Sequence, residues 1–231
     1  MKNKLAFTLA EVLITLVIIG VVAALTIPTA ISKYRKTTVE TSLKNSYSTL
    51  ANAVKMSVTD NGDISGWDYS IENYEDFLRK YIFPYVRNAK MNCYAYGSIS
   101  DICKITLANG TIWQLERFGS NNNFWTTVTV DINGDKKPNN PGYDIFAFHI
   151  FGYSGYYNAG DGNLANGVPQ QGLYYDGYGK SRSDLFNNAN RGCNTACNYT
   201  LNNGGRHCRH YCTALIVQNN WKIPDDYPIK F

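Results

Sequence analysis

The stretch Leu5-Ala6-Phe7-Thr8-Leu9-Ala10-Glu11-Val12 opens an apolar run that continues to Pro28. Lys2 and Lys4 precede it, and a single acidic residue, Glu11, interrupts it. Phe7 to Ile27 is 21 residues, about 31 Å as a helix and close to the roughly 30 Å hydrocarbon core of a bilayer. A basic region followed by an apolar one is also the layout of a secretory signal peptide, and Val22-Ala23-Ala24 could pass as its cleavage site. Glu11 argues against that reading. An acidic side chain at mid-membrane costs roughly 2.5–3.5 kcal/mol, less near an end, and a cleaved signal has no use for it. A segment that assembles inside the bilayer does, because the carboxylate can pair with a buried cation. Pro28 lies where the apolar run ends, and its missing amide and ring clash would kink or loosen a helix there.

Beyond Pro28 the helical pattern resumes. Val39, Leu43, Tyr47, Leu50, Ala51, Val54 and Val58 recur at three- and four-residue spacing, one stripe of an amphipathic helix. Asp60-Asn61-Gly62 stops it with a turn. A second helix is expected over Ser70 to Ile82, with Ser70 as N-cap, an apolar side of Phe77, Leu78 and Tyr81, and Pro84 as its limit. β signals follow. Cys103 to Leu107 and Thr111 to Leu115 flank Ala108-Asn109-Gly110 as a hairpin. Trp125 to Ile132 and Tyr143 to Ile150 read as further strands, Leu173 to Tyr175 as a weaker one, and Leu215 to Val217 can supply a last. Trp221 and Ile223 can pack on the core before Pro224 and Pro228 end the chain's regular structure. The expected class is α+β: a long helix, hydrophobic and then amphipathic, packed on an antiparallel sheet.

Ala6-Phe7-Thr8-Leu9-Ala10-Glu11 resembles the cleavage and methylation motif of type IV pilins and type II secretion pseudopilins. That family normally has Gly before the cut, where this chain has Ala6, a departure that stays small. The resemblance implies cutting by a prepilin peptidase between Ala6 and Phe7, with Phe7 becoming the N-methylated first residue. It implies that Glu11 neutralises the N-terminal amine of a neighbouring subunit, and that Pro28 is the family's helix-loosening proline. It implies a map of leader 1–6, transmembrane and filament-core helix 7–28, amphipathic continuation 29–59 and globular domain 60–231. Lys33, Arg35 and Lys36 lie just past the span and oppose Lys2 and Lys4 in the charge rule for orientation. The motif decides for a cytoplasmic N-terminus, since the peptidase works on that side. The implied location is the bacterial inner membrane, then a periplasmic or extracellular filament. The implied partners are other subunits, the peptidase and an inner-membrane assembly platform. Either a pilus subunit or a pseudopilin satisfies these features, and a large body with several disulfides suits a minor or specialised one.

Two internal motifs could carry chemistry. Asp131, Asn133, Asp135 and Asp144 surround a Gly- and Pro-containing turn, and their oxygens could wrap a hard cation such as Ca²⁺. The spacing is not that of an EF-hand, and a polar turn held by Asx hydrogen bonds and Pro rigidity is the plainer explanation. The six cysteines, with an export-like N-terminus, are read as disulfides in an oxidising compartment. Cys93 and Cys103 are expected to pair. Cys193, Cys197, Cys208 and Cys212 permit three connectivities, and with His207 and His210 they could instead hold zinc.

Other classes have less support. A net charge of +4 with no long basic run does not suggest a nucleic-acid binder. Three histidines, none in a nucleophile signature, and no phosphate-cradling Gly loop give no catalytic constellation. The rival to a filament subunit is an anchored or secreted adhesin, whose contact surface would be Tyr153, Tyr156, Tyr157, Tyr174, Tyr175 and Tyr178. Loop packing would use the same tyrosines.

Overall fold

The computed structural model describes residues 8–95, 101–118, 125–151, 172–188, 191–194 and 209–231. Its first element is the 53-residue helix α1 (Leu9–Asn61), which includes Pro28. The chain divides into two compact units between Thr38 and Val39. Over its first part, Leu9 to Ile27, α1 is apolar on all sides apart from Glu11, and the polar residues Lys33, Arg35 and Lys36 follow before the boundary. Leu9, Val17, Ile19 and Leu25 are each more than 60% exposed, and the segment is long and apolar enough to cross a membrane. An all-round apolar helix has no stable place in water, so lipid or other helices must cover it.

From Val39 onward α1 belongs to the body. Its buried positions are Val39, Leu43, Ser46, Leu50, Ala53, Val54 and Ser57. The buried strip is therefore rotated from the expected one: Ala51 and Val58 are only half-buried at its edge, while Ser46, Ala53 and Ser57 are covered. Small residues there let the backbone approach its neighbours closely, which a search for large apolar residues overlooks. Tyr47 joins α1 to the rest of the core, its ring 5.5 Å from Phe148 and 4.9 Å from Trp221.

After a short 3₁₀ turn at Ile64–Gly66 comes α2 (Tyr74–Tyr81). Asn73, not Ser70, is the N-cap, its side chain accepting from the Glu75 amide at 2.9 Å. Ser70 is drawn instead to Asp68, whose Oδ1 accepts from its amide and its hydroxyl. Phe77, Leu78 and Tyr81 form the buried side as expected, and Trp67 stacks on Tyr81 at 4.6 Å.

Six strands follow: β1 (Lys90–Ala95), β2 (Asp101–Thr106), β3 (Ile112–Phe118), β4 (Trp125–Asp131), β5 (Ile145–Phe151) and β6 (Gly172–Tyr175). They pair antiparallel in chain order. The expected hairpin joins β2 to β3, with the Gly110 amide closing on Leu107 O at 3.0 Å. β1 was not expected, because Lys90-Met-Asn-Cys93 has no alternation. It is an edge strand held by the Cys93–Cys103 disulfide to its direct cross-strand partner, Cα to Cα 4.0 Å.

Alternation along the strands sorts the two faces. Ile105, Trp113, Leu115, Val128, Val130, Phe146 and Phe148 share one face and are almost wholly buried. Lys104, Gln114, Glu116, Thr127, Thr129, Asp131 and His149 share the other.

The chain closes with α3 (Arg182–Asn187) and α4 (Tyr211–Gln218). Leu215 to Val217 are thus helical, correcting the expected last strand. Tyr211 to Ile216 are all buried, and a short helix buried all round shows no period to separate it from a strand. Trp221 and Ile223 pack inward as expected, Ile223 being 7% exposed. Glu40 of α1 binds this tail through Lys222 Nζ at 2.8 Å and the Ile223 amide at 2.9 Å.

The core assignment is testable by unfolding the detergent-solubilised protein. Leu50, fully buried, should cost about 2–5 kcal/mol when changed to Ala. Ser48→Ala, on the exposed side of the same turn, should change stability by less than about 0.5 kcal/mol. Equal small effects would mean that this face of α1 does not hold the body.

Candidate functional site

The N-terminal segment carries the first candidate residues. Ala6 and Phe7 lie outside the described residues. Glu11 stands in the first turn of α1, where it is exposed and locally engaged. Its Oε2 accepts from the Thr8 amide and the Thr8 hydroxyl, both at 2.8 Å, while the Thr8 hydroxyl oxygen accepts from the Glu11 amide at 3.2 Å. This reciprocal pair is a capping box, which satisfies two amides that the helix start leaves open. Thr8-x-x-Glu11 is legible as such a box, and sequence reasoning about the membrane alone passed over it.

The 131–144 turn is organised around Asp144, which is buried. Asp144 Oδ1 accepts from the Asn140 amide at 2.5 Å, and Oδ2 from the Asn139 amide at 2.9 Å and Asn133 Nδ2 at 3.2 Å. These are the Asx-type bonds of the plainer explanation. Asp131 Oδ1 accepts from the Asn133 amide at 3.2 Å, while Asp135 is exposed. Burial pushes the Asp131 carboxyl up to about 7; repulsion from Asp144 and Asp135 adds to this, against the amides of Asn133 and Gly134. Burial also raises Asp144, opposed by its three donors. Asn133 Oδ1 and Asn139 Oδ1 are buried with no hydrogen-bond donor. Orphan oxygens beside carboxyls that resist ionising suit a hard cation, whose charge would favour the ionised form. Asp131, Asn133, Asp135 and Asn139 are the groups with oxygens to offer, since Asp144 is occupied by the turn itself.

The turn is docked on the C-terminal region. Gly142 has φ +80°, and a Cβ there would stand 2.6 Å from Cys212 Sγ. Tyr227 Oη donates to Gly142 O at 2.6 Å, and Arg209 Nη1 donates to Asn140 Oδ1 at 2.9 Å. Cys193 and Cys212 form a disulfide, Cα to Cα 4.7 Å. That removes two of the four thiolates the zinc alternative required. Cys197, Cys208 and His207 lie outside the described residues, as do Tyr153, Tyr156 and Tyr157. Tyr174 and Tyr175 each meet Tyr178 edge-on at 5.4 Å, so these rings pack on one another.

One cluster had no forewarning. Asp176, just after β6, receives His210 Nδ1 at 3.0 Å and Arg191 Nη1 at 2.6 Å on Oδ2, with His149 Nε2 at 3.5 Å. The Thr127 hydroxyl lies 3.1 Å from His149 Nδ1. All four charged or titratable members are buried. Burial would raise Asp176, but the hydrogen bonds and charge of the two histidines outweigh it and hold the carboxyl well below its usual range. Burial depresses His149, against the pull of Asp176. These residues are up to 83 positions apart, from Thr127 to His210, so no local pattern could announce them. On the same sheet face lies a cleft of about 520 Å³, lined among others by Lys104, Glu116, Thr127, Asp131, Arg209 and His210.

Residues 1–27 match the prokaryotic N-terminal methylation motif. With the apolar helix and the α+β body, this makes the chain a type IV pilin- or pseudopilin-like protein, of the kind a prepilin peptidase processes. Residues 29–231 match the family described as a family of unknown function (DUF6613), and the chain belongs to that family. Comparisons with curated proteins and with solved structures return no match.

The turn yields a pH prediction. A carboxyl raised from 3.8 to about 7 on folding makes the folded state bind the proton more tightly, so stability falls as pH rises between those values. Without calcium, Asp131→Asn should melt above the wild type at pH about 8, and the gap should close toward pH about 4. Identical melting curves across that range would contradict the placement of Asp131.

Proposed function

We propose that this chain is a structural subunit, minor or specialised, of a type IV pilus-like filament or a type II secretion pseudopilus. The observation that carries the reading is an apolar helix headed by Thr8 and Glu11, whose first part lies within the methylation motif matched over residues 1–27. The proposed order is leader 1–6, filament-core helix 7–28, continuation 29–59 and outward-facing domain 60–231. The subunit waits in the inner membrane with its leader on the cytoplasmic side. Cutting after Ala6 then exposes the amine of Phe7.

Assembly transfers the apolar half of α1 from lipid to neighbouring helices. Glu11 then exchanges part of its bonding to Thr8 for the charged amine of a neighbouring Phe7. A misregistered subunit would bury an unpaired charge, which is costly in a low-dielectric core. Filament formation thereby selects register. The observations favour this over a lone adhesin, since an anchor needs no acidic residue near the start of its span.

A second reading concerns the 131–144 turn, where the donorless Asn133 and Asn139 oxygens and the raised Asp131 favour a bound Ca²⁺. Calcium would hold the turn against the tail, and should raise the melting temperature of the wild type more than that of Asp131→Asn.

The principal test is intact mass and N-terminal sequencing after expression with and without a prepilin peptidase. A chain beginning at N-methylated Phe7 is expected. Cleavage near Ala24, or none, would remove the filament reading. Glu11→Val should leave membrane insertion intact while lowering the yield of filaments, read by shearing and subunit quantification.

A further inference from the structure

We infer that His149, Asp176 and His210 form a binding site for a divalent transition-metal ion of the zinc class. One ligand atom from each lies within 4.8 Å of the other two, and all three residues are buried. A tetrahedral ion with ligand bonds of about 2.0–2.2 Å spaces its ligand atoms about 3.3–3.6 Å apart. The separations from Asp176 Oδ2 are 3.5 Å to His149 Nε2 and 3.0 Å to His210 Nδ1. The third separation, between the two histidine nitrogens, lies within 4.8 Å, so a bound ion would draw the two imidazoles together to complete the set.

The ligands stand on separate elements that are braced together. His149 is on β5, Asp176 follows β6, and His210 is the N-cap of α4. α4 is fixed to β5 by the Ala147 amide, which donates to Thr213 Oγ1 at 3.1 Å, and to the Gly192–Asn194 segment by the Cys193–Cys212 disulfide. The site is therefore preorganised by rigid parts of the fold.

The surrounding contacts are those that tune a metal ligand. Thr127 Oγ1 sits on His149 Nδ1, where a partner fixes the ring and leaves Nε2 to the ion. Arg191 holds Asp176 through Oδ2. Its charge also limits affinity: Asp176 and Arg191 balance one another, so a dication leaves the buried cluster net positive. The remaining coordination position thus favours an anion, either hydroxide or a carboxylate. Thr127 and His210 also line the cleft on this sheet face, which supplies an approach for the ion and for that anionic ligand. Two imidazoles and one carboxylate select zinc or cobalt over calcium, so this site is chemically distinct from the 131–144 turn.

The full-length chain in detergent, dialysed against metal-free buffer, is titrated with Zn²⁺ and with Co²⁺. Expected are stoichiometric zinc by elemental analysis, visible cobalt bands and a zinc-dependent rise in melting temperature. His149→Gln and His210→Gln should abolish all three, and Thr127→Val should weaken affinity about 10–100-fold. Absence of zinc and of any thermal shift in the wild type overturns the inference. So does equal binding by both histidine variants. Should those variants fail to fold, the cobalt spectrum of the wild type decides: bands without thiolate charge transfer support the site, and thiolate charge transfer places the ion on cysteine and overturns it.

Discussion

The body is built on the contact that α1 makes from Val39 onward. From Leu9 to Ile27 the helix is apolar on every side apart from Glu11, and its large side chains are exposed. The globular unit must therefore hold the helix with what remains. It does so with a narrow strip, Leu43, Ser46, Leu50, Ala53, Val54 and Ser57, in which large and small residues alternate. Tyr47 extends the strip to Phe148 and Trp221, and Glu40 clamps Lys222 and Ile223. Strand and tail residues far apart in the chain thus converge on about two turns of helix. This accounts for a C-terminal tail that folds back instead of trailing away.

The sheet separates two kinds of chemistry. One face supplies the core, with Trp113, Leu115, Val128 and Phe148 almost wholly buried. The other carries the polar groups and meets the C-terminal helices only in part. There the structure buries charge and must satisfy it. Around Asp176 two histidines and Arg191 do so, because an uncompensated carboxylate in that place would be strongly destabilising. Around Asp144 backbone amides and an asparagine do so. Asp131 has fewer donors, the amides of Asn133 and Gly134, and burial raises its carboxyl to about 7, with two donorless amide oxygens in the same turn. The contrast between a balanced cluster and an unbalanced one directs attention to different ions at the two places: nitrogen-liganded at the first, oxygen-liganded at the second.

Disulfides act at the margins of this arrangement. Cys93–Cys103 closes the edge strand β1 onto β2, and Cys193–Cys212 fastens α4 to the segment that carries Arg191. Both secure pieces with little core of their own. α4 is the exception in composition, since its residues are buried on all sides. That burial concealed its conformation: Leu215 to Val217 has the apolar content of a strand, and with Tyr211 to Ala214 buried as well no polar face marks the helical period.

By itself the sequence determined whatever is local. The apolar length up to Pro28, the solitary Glu11, the hairpin around Asn109-Gly110, the apolar side of α2 and the α+β class all depend on neighbours within a few residues or on a period, and these were legible. The methylation motif was legible too, because a peptidase reads a contiguous stretch. Only the tertiary structure decided which small residues of α1 lie underneath, that Asn73 and not Ser70 starts α2, that Lys90–Ala95 is a strand, and that the last apolar run is a helix. It alone assembled Thr127, His149, Asp176, Arg191 and His210. Such choices depend on which competing partner a group finds in space, and the free energy of burying a polar side chain is settled by that partner rather than by its neighbours in the chain.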